Sequence, residues 1–464
     1  MITTHVRLPL RFVAALTLTW VAGCSSLPVI TPDMAPADPA SIQFQTASGR
    51  IVSPERSTEI LARLSAGDQH PDSLARHLAL EQEVSGTPLS LGNHAVLLEN
   101  GPDTYVAMLS AIASARDHIN METYILEGDD AGQRFADALI DKQHQGVQVN
   151  LIYDSVGSLA TPKAFFVRLK EAGIQVLGFN PVNPLAAKAG WDVNQRDHRK
   201  LLVVDGRVAV LGGINISSVY SGGSAGHGSG DSRQVVPWRD TDLQIEGPVV
   251  AAFQKLFMQT WQGQKGPALA DHDYFPQLTR QGNEVVRAIG SAPEDPFSQI
   301  YVTLISAINT ADAEILLTNA YFIPDPQLIQ ALVRAVARGV EVKMIVPSVT
   351  DSSLVFHAGR SHYDVLLASG VKIYERRGAL LHSKTALIDG VWSTVGSTNL
   401  DWRSFLHNQE VTAVILGSQF GAKMREAWDR DLAVSDQITL EAWRQRPFNT
   451  RVKEWFGRLW EYWL

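Results

Sequence analysis

Two stretches of this 464-residue chain carry the same side chains at the same intervals. His198, Lys200 and Asp205 lie in DHRKLLVVDG, and His382, Lys384 and Asp389 lie in LHSKTALIDG, so each reads His-x-Lys-x-x-x-x-Asp. A turn of small residues follows each at the same offset, Gly212-Gly213-Ile214-Asn215 and Gly396-Ser397-Thr398-Asn399. At ordinary residue frequencies a single match arises in roughly one chain in thirty of this length. Two matches that also share the Gly and Asn offsets mark an internal duplication. In an extended chain residues two apart point to one face, so each copy presents an imidazole and an ammonium together. Histidine suits nucleophilic or acid–base work near neutral pH, and the Lys and the Asn amide are donors for an anion. Two such half-sites brought face to face would hold a phosphate between two histidines.

The elements that must position these residues follow from the flanking pattern. Leu201–Val204 and Leu387–Ile388 are apolar runs that end in Asp205-Gly206 and Asp389-Gly390, dipeptides that favour a hairpin. Asp205 and Asp389 fall on the opposite strand parity to the histidines and therefore read as turn and ion-pair residues that support the site. Upstream of the first motif the spacing predicts a helix over 103–115, a strand over 118–126, a helix over 131–144, a strand over 147–153, a helix over 162–172 and a strand over 174–179, with Gly146 and Gly173 closing helices. The second copy predicts a helix over 327–338, a strand over 340–346, a helix over 362–369 and a strand over 371–374. Strands alternating with helices predict an α/β fold with a largely parallel, doubly covered sheet. The duplication predicts two such α/β/α repeats, over 88–265 and 266–440, related by a pseudo-two-fold with the site at their interface. The copies differ by two insertions in the first, one from Asn180 to Asn194 and one containing Ser221–Gly230, whose composition is that of a flexible loop near the site mouth.

The duplicated motif resembles the signature of the phospholipase D superfamily. Thr318–Asp325, Asn399–Ser404 with Asn408-Gln409-Glu410, and Trp238-Arg239-Asp240 with Ile245–Pro248 are similar to bacterial cardiolipin synthases, and the likeness runs from about residue 88 to 440. The resemblance implies transfer of a phosphatidyl group through a covalent phosphohistidine. His198 would be the nucleophile and His382 the acid and base, an assignment that spacing alone leaves open. Lys200, Lys384, Asn215 and Asn399 would neutralise the phosphate oxygens. A carboxylate should fix each imidazole; Glu410 matches the family's position for this, and Asp242 is the first-half candidate. No metal or other cofactor is implied. The implied substrates are phospholipids: phosphatidylglycerol as acceptor, with phosphatidylglycerol or phosphatidylethanolamine as donor. Water as acceptor would make a phospholipase D, and a lipid-binding lipoprotein without catalysis is the alternative of another class.

The ends of the chain point to a membrane. Residues 1–23 read as a signal peptide, with Arg7 and Arg11 before the short apolar run Phe12–Trp20. The run closes on Val21-Ala22-Gly23-Cys24, which looks like a lipoprotein leader with Cys24, the single cysteine, as the lipidated residue. This predicts a bacterial cell-envelope protein facing the periplasm, and Ser25 after the Cys favours the outer over the inner membrane. Residues 24–56, with four prolines, read as a tether, and 57–87 as a helical extension. In the tail, 441–464, Val452, Trp455, Phe456, Leu459, Trp460 and Trp463 fall at helical spacing. That stripe either lies in a membrane interface or buries on the protein. The net charge of −8 argues against a general nucleic-acid binder.

Overall fold

The computed structural model describes residues 27–30, 41–65, 71–183, 192, 194–221 and 236–464. Cys24 and the rest of the leader, the Gly-rich insertion from 222 to 235 and most of 184–193 lie outside the described residues.

Each half of the chain builds the same sheet. In the first half the strand order is 175–179, 148–154, 118–123, 201–204, 208–212, 241–246 and 89–99. In the second it is 372–376, 341–347, 314–319, 384–388, 392–396, 408–416 and 284–291, with 435–438 added at the outer edge. The two sheets join edge to edge through Leu89–Glu99 and Glu284–Ser291, with Glu284 opposite Asn93 and Val286 opposite Ser90. Only the three outer strands named first in each half run parallel. The remaining pairings among these long strands are antiparallel, which corrects the expectation of a largely parallel sheet. The reason is local. Each motif strand turns back through an Asp-Gly pair, and a hairpin pairs its strands antiparallel. Asp205 and Gly206 have φ of 51° and 61°, and Asp389 and Gly390 have 50° and 69°, the positive values that a tight hairpin turn needs at both central positions.

The core has three parts. Leu139, Leu151, Leu169 and Val204 belong to an outer layer of the first repeat. Leu316, Leu387, Leu243 and Phe253 belong to a central core that draws side chains from both repeats. Leu328, Leu366, Ile373 and Trp392 form the outer layer of the second repeat. Because the central core is shared, the repeats are packed as one body, and a side chain at their junction has a fixed neighbour in the other half.

The expected helices and strands sit within a few residues of their observed limits. The strand from His118 stops at Thr123 rather than continuing to 126, because the chain there leaves the sheet toward the motif. The helix Ser353–Arg360 was not expected. The tether is also shorter than its composition suggests. Phe44–Gln45 pairs parallel with Leu89–Ser90, Phe44 is fully buried, and Ile30 N–H donates to Gln327 Oε1 at 2.7 Å. Apolar residues among the prolines and serines secure these pieces to the second repeat.

Candidate active site

Each motif histidine is held by a two-residue strand exchanged across the repeat junction. Arg196–Asp197 pairs parallel with Asn408–Gln409, and His198 N–H donates to the Gln409 carbonyl at 3.0 Å. Leu380–Leu381 pairs parallel with Trp238–Arg239, and His382 N–H donates to the Arg239 carbonyl at 2.7 Å. The residue that follows each receiving pair, Gln409 or Arg239, is a carboxylate. Glu410 Oε1 lies 3.0 Å from His198 Nδ1, and Asp240 Oδ2 lies 2.7 Å from His382 Nδ1. The pairs are crossed: each repeat orients the other's imidazole. With Nδ1–H directed at a carboxylate, Nε2 is the ring nitrogen left to act on a substrate.

Asp242, the expected first-half partner, is therefore corrected to Asp240. Asp242 is buried two residues further on, and its Oδ1 accepts the Ile214 backbone N–H at 3.0 Å. Desolvation, and then the charge of neighbouring Asp240, push its carboxyl well above the usual range. A signal for the right residue was present in the sequence. Counted back from Gly247 and Gly417, which end the corresponding strands, Asp240 and Glu410 are each seven residues away. Counting forward from the asparagines ran through the insertion and lost the register. The pairing makes the same correspondence, with Asp242 opposite Gly212 and Thr412 opposite Gly396.

The two lysines reach inward from the same strands. Lys200 Nζ donates to the His198 carbonyl at 2.7 Å, and Lys384 Nζ donates to the His382 carbonyl. Both are almost wholly buried. Desolvation outweighs nearby Glu410 and brings Lys200 down to about 7. In the same way it outweighs Asp240 and brings Lys384 down to about 8. The histidines differ. Burial, then the charges of Lys200 and Lys384, hold His198 well below its ordinary value. Burial and Lys384 also lower His382, but Asp240 opposes them. Glu410 is raised to about 7 by burial, against the pull of Lys200.

The carboxylates have their own supports. Ser397 Oγ donates to Glu410 Oε2, and Asn408 Nδ2 donates to Oε1 at 3.3 Å. Arg199 is the middle residue of the first motif; its Nε donates to the Glu410 carbonyl at 3.0 Å and its guanidinium reaches Thr260 Oγ1 at 2.8 Å. Gly213 corresponds to Ser397, and a Cβ there would lie 2.2 Å from Asp240 Oδ1, so the small-residue turn leaves space for the carboxylate.

Asp205 and Asp389 act as turn residues. Asp205 accepts backbone N–H groups of Arg116, Asp117 and His118 at 2.9–3.2 Å, and Asp389 accepts those of Asp312, Ala313 and Glu314 at 2.8–3.1 Å. They lock the hairpins to the preceding strand at the end remote from the histidines. Asn215 is engaged at both ends of its amide: Oδ1 accepts the Ile125 N–H at 3.0 Å and Nδ2 donates to Tyr220 Oη at 3.1 Å. It thereby holds Tyr220, whose Oη lies 3.3 Å from His382 Nδ1, rather than pointing as a ready phosphate donor. Asn399 is buried, and its Oδ1 has no hydrogen-bond partner among the described residues. Aromatic rings complete the walls: Tyr124, which sequence reasoning did not single out, and Trp238, which entered it only as part of the Trp238-Arg239-Asp240 likeness. Tyr124 lies 5.0 Å from the His198 ring and Trp238 lies 5.1 Å from that of His382, both between centroids. Tyr124 also carries the Lys200 ammonium over its face at 5.1 Å. Among the described residues no group of three or more His, Cys, Asp or Glu side chains is placed to hold a metal.

Paired imidazoles, each backed by a carboxylate and flanked by a lysine at the junction of duplicated α/β units, define a phosphodiester-transferring enzyme, and the chain belongs to the phospholipase D-like family. The family model described as "Cardiolipin synthase, PLD-like domain" matches residues 108–220 and 304–432. The chain is 35% identical to the cardiolipin synthase of Alkalihalophilus pseudofirmus over 383 residues, 82% of this chain and 74% of that protein. It is 34% identical to the major cardiolipin synthase ClsA of Bacillus subtilis over 383 residues, 80% of this chain and 77% of that one. These relatives set it on the cardiolipin synthase branch of the family. Among solved structures, phosphatidylserine synthase of Haemophilus influenzae shares the fold, with a TM-score of 0.63 at 14% identity over 84% of this chain and all of that one.

Proposed function

We propose that this protein makes cardiolipin, moving a phosphatidyl group from one phospholipid to a glycerol hydroxyl of phosphatidylglycerol through a phosphohistidine. The observation that carries the reading is the pair of crossed imidazole–carboxylate contacts with a lysine beside each. His198 Nε2 attacks phosphorus, and the bond to the headgroup oxygen breaks. His382 Nε2–H gives that oxygen its proton, so glycerol or ethanolamine leaves with a hydroxyl rather than as an alkoxide. The incoming hydroxyl of phosphatidylglycerol then gives its proton to His382 and attacks the phosphohistidine, which returns His198 to its free form. Splitting one displacement into two is the use of a covalent nucleophile. The electrostatics support these roles. His198, held well below its ordinary value, stays neutral and nucleophilic; burial and Lys384 lower His382 as well, and Asp240 opposes them, the contribution that helps its imidazole carry the proton it must deliver. Lys200 and Lys384 supply the charge that stabilises the equatorial oxygens.

The lipidated Cys24, the cell-envelope location and the outer-membrane preference rest on the leader sequence. No helix among the described residues is long and apolar enough to cross a membrane. Growth with a labelled fatty acid tests the anchor: label should enter the wild type and be absent from Cys24→Ser.

The activity is tested by incubating the protein with vesicles of phosphatidylglycerol, alone and mixed with phosphatidylethanolamine. Cardiolipin from the wild type and none from His198→Ala is the expected outcome, and a faster rate in the mixture would identify phosphatidylethanolamine as donor. Phosphatidic acid in its place would mean that water is the acceptor. No product from either mixture would overturn the proposal.

A further inference from the structure

We infer that the mouth of the site rests on an anionic phospholipid bilayer, with the C-terminal helix as its anchor; the inference rests on the lipid reading above and adds the surface that presents the site to its substrate. The helix Phe448–Arg458 packs on Ser353–Arg360, and it docks by an unexpected face. Glu454 is buried against Arg446, with N–O distances of 2.7–3.1 Å. Gly457 sits so close to Ala358 that a Cβ would lie 2.7 Å from the Ala358 nitrogen. Glu461 meets His362 Nε2 at 2.9 Å. The stripe Val452, Trp455, Phe456, Leu459, Trp460 and Trp463 consequently faces out, with Trp455 64% and Leu459 60% exposed. Burial of that stripe on the protein, one of the two readings of its spacing, is thereby excluded. Arg451, Lys453 and Arg458 are exposed beside it, a local positive face on a chain whose net charge is −8.

Two further observations tie the stripe to the site. The tail ends on the segment that follows Asn399: the Trp402 and Tyr462 rings lie 5.6 Å apart between centroids, and Arg403 N–H donates to the Leu464 carbonyl at 3.1 Å. Arg403 is close enough to His198 for its charge to lower the imidazole. In addition, the loops that leave the ends of corresponding parallel strands also present apolar side chains. Val156 and Leu159 are exposed after Gln148–Asp154, in a loop whose Ser158 Oγ bonds the carbonyl of Tyr124, the neighbour of His198. Val349 is exposed after Glu341–Pro347, in a loop whose Asp351 takes the Tyr321 hydroxyl at 2.7 Å, and Tyr321 lies 6.0 Å from the His382 ring. Apolar residues thus border the site from both repeats. Tryptophan and leucine flanked by Arg and Lys are the composition of an interfacial helix, and the basic flank selects an anionic surface.

The test uses the full chain carrying Trp455→Ser, Phe456→Ser and Trp460→Ser, all exposed positions. Its rate on phosphatidylglycerol vesicles should fall by about tenfold or more, since three rings that the bilayer interface would cover are lost. Its rate on a short-chain phosphatidylglycerol below its micelle concentration should stay within about twofold of the wild type, as expected when binding rather than chemistry is lost. Equal loss on both substrates, or loss on neither, would overturn the inference. Hydrogen exchange of His198→Ala over residues 451–463 gives a readout that does not depend on turnover. Slower exchange on adding phosphatidylglycerol vesicles is expected, and unchanged exchange would refute the surface even if cardiolipin is made. Slowing that tracks protein concentration without vesicles would assign the stripe to a second copy of the chain and overturn the inference. Vesicle-dependent slowing with no cardiolipin from the wild type would leave the surface standing and remove the proposed reaction.

Discussion

Replacing Asp240 by Asn is the sharpest perturbation of the proposed mechanism, because Asp242 supplies a control two residues away. Asp240 Oδ2 receives His382 Nδ1–H at 2.7 Å in a fully buried setting. Asn keeps the volume but removes the charge. A hydrogen bond to a charged group contributes about 1.5–3 kcal/mol, equivalent to roughly 10- to 150-fold in rate if it is felt wholly in the transition state. If the imidazole also turns to the wrong tautomer, general-acid help is lost, about 10²–10⁴-fold. Asp240→Asn should therefore fall within about 10- to 10⁴-fold below wild type in cardiolipin formation from phosphatidylglycerol vesicles. Asp242→Asn should stay within about threefold, because Asp242 touches neither histidine and its Oδ1 accepts the Ile214 N–H, a bond that the Asn amide oxygen can accept in the same place. The decisive assay replaces the headgroup by p-nitrophenol. That leaving group needs no proton, so the first step should be largely rescued in Asp240→Asn and should not be rescued in His198→Ala. Equal losses in the two aspartate variants, or a p-nitrophenyl substrate that restores nothing, would refute the assignment of His382 and Asp240 to leaving-group protonation.

Other outcomes follow from the same site. Lys200 and Lys384, brought to about 7 and 8 in the free protein, lose charge as pH rises through those values, so kcat/KM should fall on the alkaline side, by up to about tenfold per pH unit for each group lost; a flat profile from pH 7 to 9 would contradict the role of both. A lysine whose folded value lies below its unfolded one binds fewer protons when folded, so its burial is unfavourable below about pH 7 and the penalty fades as pH rises toward the unfolded value near 10.5. The difference corresponds to an upper bound of about 5 kcal/mol, so Lys200→Met should raise the melting temperature at pH 6 while abolishing turnover, and a lower melting temperature would show that the bond to the His198 carbonyl and the attraction of the Glu410 charge outweigh the desolvation. Gly213→Ala would bring a methyl to 2.2 Å from Asp240 Oδ1 and should cost at least about tenfold in activity with a folded spectrum retained; unimpaired turnover would mean that Asp240 moves without consequence.

Much of this protein is local, and local features are legible. The duplicated His-x-Lys pairs follow from strand period two, the Asp-Gly hairpins from the positive φ they require, and the helix ends at Gly146, Gly173 and Gly370 from the freedom of glycine. Asp205 and Asp389 as turn residues could be read from strand parity, and Glu410 came from family resemblance. What the chain order concealed were relations across the pseudo-two-fold. Asp240 is 142 residues from His382 and Glu410 is 212 from His198, and nothing local links the members of either pair. Only the exchanged two-residue strands at the repeat junction, fixed by the central core, bring them together. Tyr220, held locally by the Asn215 amide five residues before it, likewise meets His382 only across the repeat junction, 162 residues on, and the tail too is placed by the fold. Periodicity showed that its helix has an aromatic stripe, but the direction of that stripe was decided by Gly457, which fits against Ala358, and by Glu454, which is buried against Arg446. A sequence states which faces a segment possesses; which face is buried depends on the shape of the surface it meets, and that surface exists only in the folded chain.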